Sequence, residues 1–222
     1  MLGFSESRVH ETLSRTQECY NDLMKFLKDD MQSDFVNQLV QNWKAPDAVT
    51  FFRGGEGAVG FTRGFSDLNE NLSETFNNIF NSINASAHNI ALASQATYTD
   101  LPFNKKDCVM TDNAVEGDGE GVYIQDEAAR NLAELISPSG AIYNGVKSAL
   151  DRLSEISTNW GLYDPDGSQK REFDSCMSII ERDIMAALSN YFTQCTSAIE
   201  ISIKNRDNAV KTNATENFKV SN

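Results

Sequence analysis

The sequence predicts an all-α protein: two long antiparallel helical hairpins forming a four-helix bundle. Three observations carry this. From Phe173 to Val210, apolar residues return at Phe173, Met177, Ile180, Ile184, Leu188, Tyr191, Cys195, Ile199, Ile203 and Val210. Steps of three and four lay them along one stripe of an α-helix, with charged and amide side chains opposite. No Pro or Gly interrupts the run, so a helix of about 40 residues, roughly 60 Å long, can form. Two further stretches, 5–42 and 61–90, keep the same period. Loops cannot cover an apolar stripe of that length; other long helices must lie alongside it.

Residues 5–42 carry Val9, Leu13, Tyr20, Leu23, Leu27, Met31, Phe35 and Leu39 at helical spacing, with Ser5 placed to cap the start. Asn42-Trp43 ends the pattern, and Pro46 disfavours helix in the residue before it, so the chain turns. Gly54, Gly55, Gly57, Gly60 and Gly64 crowd the following segment, each lowering helix propensity by about 1 kcal/mol relative to Ala. They lack the Gly-Lys-Ser/Thr ending of a phosphate loop and the spacing of a dinucleotide fingerprint, and no strand pattern precedes them. The segment reads as an irregular or loosely helical connector. Phe61, Phe65, Leu68, Leu72, Phe76, Ile79, Ile83, Ala87 and Ile90 then alternate threes and fours, which suits shallow left-handed helix packing.

Residues 97–121 have no period, and Pro102 with three late glycines marks a linker. Its acids do not follow the ligand order of a calcium loop. A third helical stretch starts near Tyr123 and breaks at Ser137-Pro138, a pair that reads as the N-cap and first turn of a fresh helix. This helix carries Ile142, Val146, Leu150, Leu153 and Ile156 and ends at Asn159-Trp160-Gly161. The turn LYDPDG follows, with Asp166 or Ser168 to cap the last helix. The expected division is a first hairpin over 1–98, with its elbow at Trp43 and the segment 53–64. A linker over 99–121, a second hairpin over 122–212 with its elbow at Trp160, and a frayed tail over 213–222 complete it.

A net charge of −13 argues against nucleic-acid backbones and anionic membranes as partners. The chain opens without a basic stretch leading into an apolar run, and no 18 consecutive residues are apolar, so neither a cleaved leader nor a membrane span is expected. Cys19, Cys108, Cys176 and Cys195 form no Cys-x-x-Cys pair and no zinc spacing. Cys195 falls on the helix stripe and reads as buried; no disulfide is inferred. His10 and His88 have no second ligand at metal spacing and read as solvated. Without a base near Ser or Cys, and with acids on every polar face, the sequence offers no active site. No catalysis, cofactor or metal is expected.

The halves share a plan: a long helix ending in Asn-Trp, a Pro/Gly turn, a Phe-led helix and a polar tail. Val40-Gln41-Asn42-Trp43 parallels Ser157-Thr158-Asn159-Trp160, and these are the two tryptophans of the chain. At an elbow, a Trp ring covers the ends of two reversing helices. Such a chain resembles a tandem, duplicated form of the WXG100 (ESAT-6-like) proteins of type VII secretion systems. At the family's Trp-x-Gly position, Ala45 replaces the glycine in the first copy, and Gly161 comes one residue early in the second. Tyr123 followed by Glu127 matches the family's Tyr-x-x-x-acid export element, farther downstream of Trp43 than is usual there.

The resemblance implies a non-enzymatic protein made in a bacterial cytoplasm and secreted without a cleaved leader. Its partners would be a secretion-system ATPase or another helical-hairpin protein, with self-association a further option. Recognition would run through the elbows and the export element: Trp43, Trp160, Gly161, Tyr123 and Glu127. The two hairpins would pair as a pseudo-dimer within one chain. The alternative reading is a helical structural or assembly subunit of a phage or other large particle. Strong negative charge and the lack of a long apolar hairpin speak against nucleic acid and stable membrane insertion.

Overall fold

The first long helix changes its winding partway, and the spacing of its apolar residues explains why. The structure, a computed structural model, describes residues 3–112, 115, 123–156, 161–163 and 167–217. After β1 (Gly3–Phe4), the chain forms α1 (Glu6–Met24), a π-helical stretch (Lys25–Val36) and α2 (Asn37–Asn42). Up to Leu23 the apolar stripe advances by mixed threes and fours. Leu23, Leu27, Met31, Phe35 and Leu39 advance by fours alone, and all five are fully buried. In an α-helix each step of four overshoots one turn by about 40°. Keeping these five in line needs a wider turn, which π-type i→i+5 bonding supplies.

The Gly-rich segment is more regular than its composition predicts. β2 (Trp43–Lys44) leads into α3 (Pro46–Arg53), with Pro46 in the first turn where its missing N–H costs nothing. A tight hairpin follows, β3 (Gly54–Gly55) on β4 (Ala58–Val59), turning through Glu56-Gly57. Then comes α4 (Phe61–Ala93). The expected irregular or loosely helical connector is a helix followed by a hairpin, whose backbone groups pair across the turn.

β5 (Tyr123–Ile124) precedes α5 (Asp126–Leu135), α6 (Ala141–Asp151) and α7 (Leu153–Ile156). β6 (Leu162–Tyr163) then leads to α8 (Ser168–Asn217), which runs well past the last stripe residue. The break expected at Ser137-Pro138 is present, but Ser137 serves the helix before it. Its hydroxyl donates to Glu134 O at 2.9 Å, and α6 begins only at Ala141. At the start of α8, Gly167 O accepts the N–H of Arg171, so Ser168 is the first helical residue rather than its cap. Asp166 lies outside the described residues. All-α architecture is thus observed, with short two-residue strands added at the helix ends.

The chain divides into two compact units. The first comprises Met1–Lys28, Asp67–Cys108 and Asn144–Ala187; the second comprises Asp29–Ser66, Val109–Tyr143 and Leu188–Asn222. In the first, Val9 and Leu13 of α1 meet Phe80, Ile83 and Ala87 of α4, with Leu162 and Phe173 against the same core. Tyr20 packs between Phe76 and Phe103, at ring distances of 5.4 and 4.7 Å. On α6, Gly145 lies so close to the Phe26 ring that a Cβ would overlap it. The second unit has an aromatic core. Phe51 stacks on Phe61 at 5.3 Å and Phe65 on Phe192 at 6.1 Å, geometries that add to area burial. All four cysteines are free thiols; Cys195 is buried as its stripe position predicts, as are Cys19 and Cys108, while Cys176 is exposed.

Candidate functional site

Pro46 holds Ala45 in an extended conformation, φ −160° and ψ 159°, which keeps the chain straight after the first helix. Trp43 and Lys44 can therefore pair as β2 with β5 of the second unit, Trp43 opposite Ile124 and Lys44 opposite Tyr123. The N–H of Gln125, at the N-cap of α5, donates to Asn42 O at 2.9 Å and extends the pairing by one bond. The Trp43 ring is 1% exposed. Its Nε1–H donates to Asp47 Oδ1 at 3.1 Å, and Asp47 Oδ2 accepts the hydroxyl of Ser202 from α8. One turn farther along α8, Arg206 donates to Ile124 O at 2.8 Å and forks onto Asp126. The same guanidinium lowers the carboxyl of the neighbouring Asp207 below the usual carboxylate range.

The register thus brings the expected export element beside the expected elbow. Tyr123 sits across from the residue next to Trp43, and Glu127 stands exposed in the first turn of α5. The long sequence interval between Trp43 and Tyr123 is closed by strand pairing. The Trp43 ring fills the core and not the surface; what this corner presents to solvent is Lys44, Glu127 and Tyr123, the last 52% exposed.

Gly161 belongs to the first unit. There β1 pairs with β6, Gly3 opposite Tyr163 and Phe4 opposite Leu162, and the N–H of Ser5 donates to Gly161 O at 2.9 Å. Ser5 takes the N-cap position of α1, yet its hydroxyl makes no capping bond; its backbone provides the anchor instead. Gly161 has φ 72°, and a Cβ on it would stand 2.6 Å from Val9 N and 2.8 Å from Arg8 C. Glycine is needed here for both backbone shape and close approach to α1.

The two corners have the same wiring. In each, a strand preceding a helix pairs with a strand following another, and the N-cap residue donates its N–H to the carbonyl just before the partner strand. Superimposing the patterns puts Gly161 in the place of Asn42 and Leu162 in the place of Trp43. Trp43-Lys44-Ala45-Pro46-Asp47 then aligns with Leu162-Tyr163-Asp164-Pro165-Asp166, sharing Pro-Asp. Pairing the two tryptophans is displaced from this register by two residues. The shared Pro-Asp was the available signal, overshadowed by two conspicuous Trp residues. Trp160 itself lies outside the described residues.

The histidines do more than face solvent. Tyr98 lies between the His10 and His88 rings, at 5.5 and 5.2 Å. His88 Nε2 is 2.7 Å from Asp100 Oδ1, and His10 Nε2 is 2.8 Å from Thr99 O. Both therefore hold the chain leaving α4, a role that sequence spacing could not reveal. Among the described residues, no group of three or more His, Cys, Asp or Glu could hold a metal, and no helix is long and apolar enough to cross a membrane. Compared with protein-family models, curated proteins and solved structures, the chain matches none.

Proposed function

We propose that this chain is a non-enzymatic interaction protein of the tandem WXG100 kind: two helical hairpins paired within one chain as a four-helix pseudo-dimer. The observation that carries this reading is the repeated corner. Ser5 N–H to Gly161 O and Gln125 N–H to Asn42 O are equivalent bonds at equivalent places, each tying one half of the sequence to the other. An ancestral hairpin that paired with its own copy, followed by duplication and fusion, would leave that pattern. Fusion also raises the effective concentration of each hairpin for the other.

In this reading the protein is a substrate or partner of a bacterial type VII secretion system. Exposed Tyr123 and Glu127, presented beside β2, serve as the surface that the secretion ATPase or a second helical-hairpin protein recognises. Trp43 acts by fixing the corner from within. The test is export. The protein should accumulate in culture supernatant, disappear from it when the secretion ATPase is deleted, and be retained in cells when Tyr123→Ala and Glu127→Ala are combined. Equal export with and without the ATPase would sink the assignment.

A further inference from the structure

Residues 98–108 follow α4 and run beside α1 and α4 of the first unit with neither helix nor strand pairing, Thr99 at His10, Asn104 at Gln17 and Lys106 at Tyr20. Backbone groups outside helices and sheets still need hydrogen-bond partners, and here side-chain amides provide them. Gln17 of α1 takes both backbone groups of Asn104: Oε1 accepts its N–H at 2.9 Å and Nε2 donates to its carbonyl at 3.0 Å. Asn84 of α4 does the same for Leu101, at 3.4 and 3.0 Å. The Tyr20 hydroxyl accepts the N–H of Lys106 at 2.9 Å. In the second unit Gln32 repeats the device on Thr111, at 2.8 and 2.9 Å.

A primary amide presents one donor and one acceptor side by side, as a neighbouring β-strand does. It therefore reads an extended main chain regardless of side-chain identity. Specificity is left to a few apolar anchors. Tyr98 and Cys108 are buried, Leu101 and Phe103 half-buried, and the intervening side chains point outward.

We propose that the α1–α4 face of the first unit is a groove for an extended peptide, with residues 98–108 as its resident occupant in cis. The partner it fits is an extended segment of another polypeptide that carries an aromatic residue, an aliphatic one three positions on and an aromatic two beyond that. In the intact chain, tethering keeps the resident segment at high local concentration and shields the groove.

Two full-length chains test this: Y98S/L101S/F103S, and a chain with residues 98–108 exchanged for Gly and Ser at equal length. A fluorescent synthetic peptide of residues 97–108 is titrated onto each. Saturable one-to-one binding is expected, at least tenfold tighter than to the unaltered chain, and at least tenfold weaker once Q17A is added. Methylating the Asn104 backbone nitrogen of the peptide should weaken binding at least tenfold, whereas Asn104→Ala should change it less than threefold. Absence of binding by helical, folded variants would overturn the proposal, as would a reversed order of the two Asn104 peptides. Loss of helical circular dichroism in both chains would also overturn it, since the segment would then be integral core.

Discussion

Gly64 shows how a single residue can invert a general rule. It sits in the first turn of α4, where Ala would ordinarily improve helix propensity by about 1 kcal/mol. A Cβ there would collide with the hydroxyl of Tyr191. Tyr191 packs against Phe65 at 5.5 Å and Phe61 at 6.2 Å, so its ring has little room to withdraw. Overpacking of this kind costs about 1–3 kcal/mol. Gly64→Ala should therefore lower the urea midpoint, and adding Tyr191→Phe should restore most of it; a midpoint raised by Gly64→Ala alone would contradict the packing. The thiols allow a second test. Burial pushes the Cys19 thiol up to about 12, against the opposing pull of Arg152, and raises that of Cys195 as well. An unfolded thiol loses its proton near 9 while the folded one keeps it, so the native state binds more protons above that pH. Stability should fall as pH rises from about 9 towards 12, and replacing Cys19 and Cys195 by Ala should make the fall in urea midpoint shallower over that range. What remains is the share of Cys108, Tyr20 and Tyr98, which burial also raises.

At the scale of elements, α4 ends on a residue poorly suited to the conformation it adopts. Gln95 has φ 56°, while Ala96 N–H bonds to Ala91 O at 2.9 Å and Gln95 N–H to Leu92 O at 3.2 Å. This is a Schellman closure, whose left-handed position favours Gly. A left-handed non-glycine residue carries a strain of about 1–2 kcal/mol, partly offset in Gly by greater freedom of the unfolded chain. Gln95→Gly should raise the thermal midpoint by a few degrees; an unchanged or lower midpoint would mean the strain is already relieved. The same helices show what a sequence discloses. The stripes at Val9–Leu39, Phe61–Ile90 and Phe173–Ile203 announced helices because burial imposes periodicity. The shift to steps of four after Leu23 even recorded the π-helical winding. The two-residue strands left no periodic trace, since two residues cannot display an alternation. Gln17, Gln32 and Asn84 looked like ordinary polar-face residues; their pairing with Asn104, Thr111 and Leu101 depends on where a nonperiodic segment returns in space. Of the candidate site, Tyr123 and Glu127 were singled out by spacing alone, and their position beside β2 was a matter of strand register that spacing does not carry.

For the whole molecule, the decisive question is whether the two corners close within one chain. β1–β6 joins residues 3–4 to 162–163, and β2–β5 joins 43–44 to 123–124, so each corner bridges distant parts of the sequence. Identical pairings could in principle form between two chains exchanging halves, because the local geometry at each corner would be the same. Linkage decides between them. Closing a corner in cis costs only loop entropy, which grows slowly with loop length, whereas closing it in trans also costs the translational and rotational freedom of a second chain. A net charge of −13 adds repulsion between copies at low ionic strength. Light scattering should therefore give the 24.6 kDa mass of a single chain, unchanged over a wide dilution series and at both low and high salt. A mass of two chains that persists on dilution would mean that the Ser5–Gly161 and Gln125–Asn42 bonds form between copies. The two corners would then join copies by exchange instead of closing a single chain.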